Sequence, residues 1–160
     1  MLRAPLDPLP GGGFRLRLGR RERALLRSLP VQLEQLLDDA PEDPALRRLS
    51  PPAYGEEGDA EAETEYQRLV GDDLLETRRG RLRAFAGSLD EDRLTEDDLE
   101  IWLTALNDLR LVLGTRLDVR EDDLVEPFDP RDPQAEGRAV YTYLSWLQEH
   151  VVAALAEARS

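Results

Sequence analysis

The stretch Trp102-Leu-Thr-Ala-Leu-Asn-Asp-Leu-Arg-Leu-Val-Leu-Gly-Thr-Arg-Leu117 decides the fold of this chain. At about 100° per residue, Leu99, Trp102, Leu103, Leu106, Leu109 and Leu113 form one stripe, and Ile101, Ala105 and Val112 form a second beside it. Apolar side chains therefore cover more than half of the helical cylinder. A helix with two apolar flanks packs on two sides, which makes this one the axis around which the other helices assemble. Its start is marked by Thr95-Glu-Asp-Asp98, a capping-box pattern with Asp in place of the usual Glu or Gln and an acidic first turn that suits the helix dipole. Gly114 reads as its stop.

Working outward, residues 1–13, ending in Gly11-Gly12-Gly13, read as a flexible N-terminal lead-in, and residues 14–160 as a single helical domain. Phe14-Arg-Leu-Arg-Leu18 alternates like a short edge strand, and Thr115 to Val119 is its candidate partner in a two-stranded β element. From Arg20 the pattern is helical, with Leu25, Leu29, Leu33 and Leu36 on one face. Pro30 inside the run predicts a kink or two abutting helices, and Pro41 closes it. A turn around Ala45 to Leu49 leads to the extended Ser50-Pro-Pro-Ala-Tyr-Gly55, the acidic run Glu56 to Glu65 and its helical continuation to Val70, with a break at Gly71-Asp72. The next helix carries Leu74, Leu75, Leu82, Phe85 and Leu89, with Arg78, Arg79, Arg81 and Arg83 on its outer face. After the turn-rich Pro127 to Pro133, a last helix has Val140, Tyr143, Leu144, Leu147, Val151, Ala154 and Ala158 along its seam. The fold class expected is mostly α: one helical bundle around the segment from Thr95 to Gly114.

The chain has 160 residues, enough for one domain that buries roughly 70% of the surface its unfolded form exposes. It contains no Cys, which excludes thiolate catalysis, thiol redox chemistry and zinc-thiolate sites. It also contains no Lys, so Schiff-base chemistry is excluded. The N-terminus lacks a continuous apolar core of the signal-peptide kind, and no run approaches the roughly 20 residues of a membrane span, so a cytoplasmic location is expected and no membrane partner. With 34 acidic against 21 basic side chains the net charge is −13, a field that repels phosphate backbones. The expected partners are other proteins.

His150 is the single histidine and falls on the edge of the last helix, with no nucleophile or orienting carboxylate at helical spacing. Together with Tyr143 and Trp146 it is a candidate interface, weighed against a plain half-exposed core edge. Carboxylate clusters such as Asp90-Glu91-Asp92 and Glu121-Asp122-Asp123 lack the glycine and spacing of a calcium loop, and no Glu-x-x-His pair is present, so no metal and no cofactor are expected. Arg110 lies on the apolar face of the central helix. A guanidinium there needs partners, so a surrounding carboxylate or carbonyl cluster is expected, as a structural anchor or as a ligand site. Arg20, Arg21, Arg78, Arg79, Arg81 and Arg83 are the candidates for contact with nucleic acid or a partner. No stacking aromatics interleave them, and internal pairing with acidic loops is the default.

Leu49-Ser-Pro-Pro-Ala-Tyr54 with the acidic run behind it, the Trp102 to Leu117 motif, and Glu22-Arg-Ala-Leu-Leu26 in the opening helix resemble an actinobacterial family of AosR-like proteins, a domain of unknown function encoded near the ClpS adaptor. The resemblance runs from Phe14 to Leu155. It implies a small helical regulator of transcription or stress response that acts with regulatory, transcription or proteolysis machinery. The redox-sensing version of that role relies on a Cys pair, and this chain has none. The function expected is a non-enzymatic regulator working by protein contact. The alternatives are direct DNA binding through the arginine faces and a ligand binder or enzyme centred on Arg110. The last helix is also a candidate homo-oligomer face.

Overall fold

The computed structural model describes residues 4–49, 75–117, 131 and 133–160. Their element order is β1 (Leu6–Pro8), β2 (Phe14–Leu16), α1 (Arg20–Asp39), a 3-10 turn (Pro44–Arg48), helix α2 over 75–88, β3 (Arg93–Leu94), α3 (Glu96–Leu117) and α4 (Ala135–Ala158). The domain is mostly α, with helices packed around α3 and a small antiparallel sheet of order β1-β2-β3 at one end. The proline-rich stretch 50–55, the acidic run 56–65, its continuation to Val70, the break at 71–72 and Leu74 lie outside the described residues, as does 118–130.

Trp102, Leu99, Ala105 and Leu106 of α3 are fully buried, and α3 packs most extensively on α4 through Leu144, Leu147 and Val151. Phe85 of α2 meets Trp102 edge to face at 5.0 Å between ring centres, and the Trp102 indole Nε1 donates to Ser88 Oγ at 2.7 Å. The indole thus buries its apolar body without orphaning its one donor, which would otherwise cost more than the bond gains. The expected capping box is present in full: the Thr95 N–H donates to Asp98 Oδ2 at 2.9 Å, and the Asp98 N–H donates to Thr95 Oγ1 at 3.1 Å. Asp serves as well as Glu here because its shorter side chain still spans one helical turn.

Three expectations about the ends of elements are corrected. α3 does not stop at Gly114 but continues to Leu117. The glycine is there for packing: a Cβ at that position would lie 2.9 Å from Cε2 of Tyr141, so its absence lets the α4 ring sit against the α3 backbone. Residues 115–117 are consequently helical and are not the partner of β2. Nor is β2 an edge strand: it is the middle one, paired with β1 (Leu6↔Leu16, Pro8↔Phe14) and with β3 (Phe14↔Leu94). The element is therefore three-stranded, not two-stranded.

β1 in turn falls within the stretch read as a lead-in. Buried Pro5 and Leu6 anchor it, and the hairpin closes through Leu9 N–H to Gly13 O at 3.0 Å, with Gly12 and Gly13 both at positive φ. Such backbone is open to glycine at little steric cost. Finally, α1 is one continuous helix through the buried Pro30, with Leu26 and Leu33 buried on the same face. Of the two outcomes expected from that proline, abutting helices do not occur.

Candidate functional site

Arg110 lies half-buried on α3, with no carboxylate at ion-pair distance among the described residues. Its Nη1 donates to Gln148 Oε1 at 2.7 Å, and its guanidinium carbon sits 5.5 Å from the centre of the Tyr141 ring. Both partners come from α4, so Arg110 and Gly114 hold one ring between them, four residues apart on α3. Cation–π attraction and an amide carbonyl oxygen are its partners, so of the carboxylate or carbonyl cluster expected from the sequence a single carbonyl is present among the described residues. The Nε atom is buried without a hydrogen-bond partner among the described residues.

The buried charge on α3 is instead Asp108, which stands 6% exposed. Arg78 of α2 donates to Asp108 Oδ2 from Nε at 3.2 Å and to Leu49 O from Nη2 at 2.9 Å. One guanidinium thereby ties α2 to α3 and to the end of the 3-10 turn. Burial outweighs Arg78 and holds the Asp108 carboxyl above its ordinary pKa. No sequence reading singled out Asp108. At helical spacing it falls in line with Ile101, Ala105 and Val112 of the second apolar stripe, the signal that would have pointed to it, whereas Asn107 lies on the exposed side.

The outer arginine face assigned to α2 is corrected in part. Arg78 is inward, Arg79 pairs closely with Asp38 of α1, and Arg83 reaches Glu34 at 3.2 Å; Arg81 is exposed. Arg20 and Arg21 are exposed at the start of α1. Arg23 beside them is a clamp: its Nε donates to Leu18 O at 3.0 Å and its Nη1 to Leu89 O, joining α1 to the strand end and to the end of α2. Arg27 pairs with Asp90.

On α4, Tyr143, Trp146 and His150 form a ladder of half-buried rings. The Tyr143 and Trp146 rings stack at 5.7 Å between centres, and the Trp146 and His150 rings meet edge to face at 4.7 Å. Spacings of three and four residues place these rings on one side of the helix. Tyr143 and Trp146 also pack against the core. The Tyr143 hydroxyl is buried without a hydrogen-bond partner among the described residues, and burial, with Glu22 adding, holds its pKa far above that of a free phenol. A phenol so held carries no charge at neutral pH and serves as a rigid contact rather than an acid or base.

Among the described residues no group of three or more His, Asp and Glu side chains is placed to hold a metal ion, and no helix is long and apolar enough to cross a membrane. The molecule is thus a mostly α domain whose distinctive surface features are an aromatic ladder on α4 and arginines engaged, for the most part, by neighbouring elements. The chain belongs to the family described as Domain of unknown function (DUF2017), whose model matches residues 6–155. Proteins of Mycobacterium tuberculosis and Mycobacterium bovis, each named Oxidative stress regulator AosR, are similar to it at 27% identity over 93% of this chain and 85% of their own length. No solved structure matches.

Proposed function

We propose that this chain is a regulatory protein that acts through contacts with other proteins and performs no catalysis of its own. The observation that supports this most is the ladder of Tyr143, Trp146 and His150: three rings fixed against one another and left half-exposed on the longest helix. Preset aromatic side chains offer a partner large contact area with little further ordering, which is why such residues dominate binding energy at interfaces. The regulatory part of the reading rests on relatives named as oxidative stress regulators. With no Cys, no response of this chain to oxidants passes through a thiol of its own.

The engagement of Arg78, Arg79 and Arg83 by Asp108, Asp38 and Glu34 favours this reading over direct DNA binding through α2, because a neutralised guanidinium releases few phosphate counterions. Affinity capture from the native cytosol, comparing the full chain with Trp146→Ala, tests it. The expected result is a specific protein that binds the parent and loses roughly thirtyfold in affinity with the variant, the scale of an interfacial hot spot. A folded bait that recovers nothing specific, or a partner indifferent to Trp146, overturns it.

A further inference from the structure

We propose that the outer face of the three-stranded sheet is a docking site for an acidic peptide segment of a partner protein, read by Arg15 and Arg93. The proposal rests on the protein-contact reading and adds to it the chemistry of one partner. In β2, Phe14 and Leu16 turn inward to the core with Leu94 of β3, so Arg15 and Arg93 project to the other side, where both are exposed. The register pairs these two arginines directly across the strands. Like charges in that position oppose each other and destabilise the pair unless an anion lies between them.

Of the two nearby carboxylates, one is engaged by another arginine and the other, Asp92, stands almost wholly exposed at the rim. Asp7, the register partner of Arg15 on its other side, forms a close ion pair with Arg17, and Asp92 lies 4.0 Å from Arg23. Arg15 itself makes no hydrogen bond or ion pair with the described residues. Arg93 is held in place from behind: its Nη2 donates to Gly12 O at 2.7 Å. A Cβ on Gly13 would stand 3.1 Å from Arg93 Nε and 3.0 Å from Leu94 O, so the triple-glycine turn leaves room for this guanidinium. The turn fixes one arm of the pair and leaves its remaining donors facing no acceptor among the described residues.

Arg15 and Arg93 line a surface concavity of about 660 Å³, together with Leu9, Pro10 and Asp92. Two guanidinium groups lining one concavity suit carboxylates through their N–H donors, and Leu9 and Pro10 offer an apolar patch to the residue next to them. A short acidic segment suits this place better than a nucleic acid. Screening confines its interaction to charges within about 10 Å, here the two arginines set against Asp92, whereas a long phosphate backbone also meets the field of a chain with net charge −13.

The test is fluorescence anisotropy of a fluorescein-labelled peptide of glutamates separated by alanines, with the glutamine version as blank and a single-stranded oligodeoxynucleotide as competitor. The full chain, Arg15→Gln, Arg93→Gln and the equally charge-reduced Arg159→Gln are compared, each with its melting curve. We expect salt-sensitive binding by the parent, about tenfold weaker in Arg15→Gln and in Arg93→Gln, and within about twofold of the parent in Arg159→Gln. Because Arg15 has no partner among the described residues, its variant carries the test even if Arg93→Gln loosens the turn. No binding by the folded parent, binding indifferent to Arg15, equal weakening by all three variants, or displacement by the oligodeoxynucleotide at lower concentration than by free peptide overturns the proposal. If it is overturned while the Trp146-dependent capture persists, only this site falls; if both fail, the protein-contact reading falls with it.

Discussion

The arginines of α2 and those of the sheet belong to one acidic chain and end in opposite situations. Arg78, Arg79 and Arg83 each meet a carboxylate from another helix: Asp108 of α3, Asp38 and Glu34 of α1. Arg15 and Arg93 meet each other across two strands and open onto a concavity. The difference comes from what lies alongside. α2 packs against helices that present Asp38, Glu34 and Asp108 to it, whereas on the sheet the carboxylate opposite Arg15, Asp7, is taken by Arg17. The number of arginines in a segment therefore says little about how many remain available, and pairing across elements settles it.

The largest effect that tests this contrast is expected at the buried end. Asp108→Ala takes from the Arg78 guanidinium its carboxylate partner, leaving it Leu49 O, and should lower unfolding free energy by about 3 kcal/mol in a denaturant titration. Asp108→Asn should cost much less, since burial already favours the uncharged carboxyl and the amide oxygen can still accept from Arg78. Equal losses in the two variants would show that the charge itself, and not the hydrogen bond and the packing, holds α2 to α3.

Gly13→Ala comes next. At φ +79, with Leu94 O 3.0 Å from the new Cβ, it should cost about 1 to 2 kcal/mol in thermal unfolding and displace Arg93. Acidic-peptide affinity should fall along with stability in this variant. A stable Gly13→Ala chain with undiminished affinity would separate the turn from the arginine pair.

The smallest effect is one of pH, and here two consecutive arginines divide. The hydrogen bond from Arg79 holds the Asp38 carboxyl below its ordinary value of 3.8. Its contribution to stability is therefore present above that value and lost as pH falls through the carboxylate range. Asp108 has the opposite sign: its folded carboxyl lies above the ordinary value, so the stability it contributes increases as pH falls through its raised value towards 3.8. Melting temperatures against pH should show Asp38→Asn slightly below the parent at neutral pH and converging with it in acid. The difference between Asp108→Asn and the parent should instead shift in favour of the parent on acidification. Parallel curves for the two variants would contradict the assignment of one carboxylate as exposed and the other as buried.

Much of the fold was legible because it rests on local pattern. Thr95 and Asp98 announce a capping box that depends only on residues three apart, and the double stripe of α3 follows from helical spacing. The misreadings share a cause. Gly114 looked like a stop because glycine commonly ends helices, but here the ring of Tyr141, 27 positions later, needs the space. The Gly11 to Gly13 segment looked like slack chain because its partner, Arg93, is 81 residues from Gly12. Arg110 was visible as a charge in an apolar stripe, but whether its partner would be a carboxylate or a ring was not. Asp108, two residues before it, lies in line with the second apolar stripe, which marks it as inward, but its partner Arg78, 3.2 Å away, comes from another helix 30 residues earlier and no local pattern names it.

By itself the sequence determined the helical class, the axis and its cap, the exclusion of thiol and Lys chemistry, and the strongly acidic surface, because each depends on composition or on residues within one or two turns. Only the tertiary structure decided which arginines are consumed and which are offered, why Gly13 and Gly114 are glycines, and that the triple-glycine turn belongs to a sheet. Those outcomes depend on which side chain approaches from another element, and periodicity along one helix or strand gives the direction a residue faces without naming what it meets.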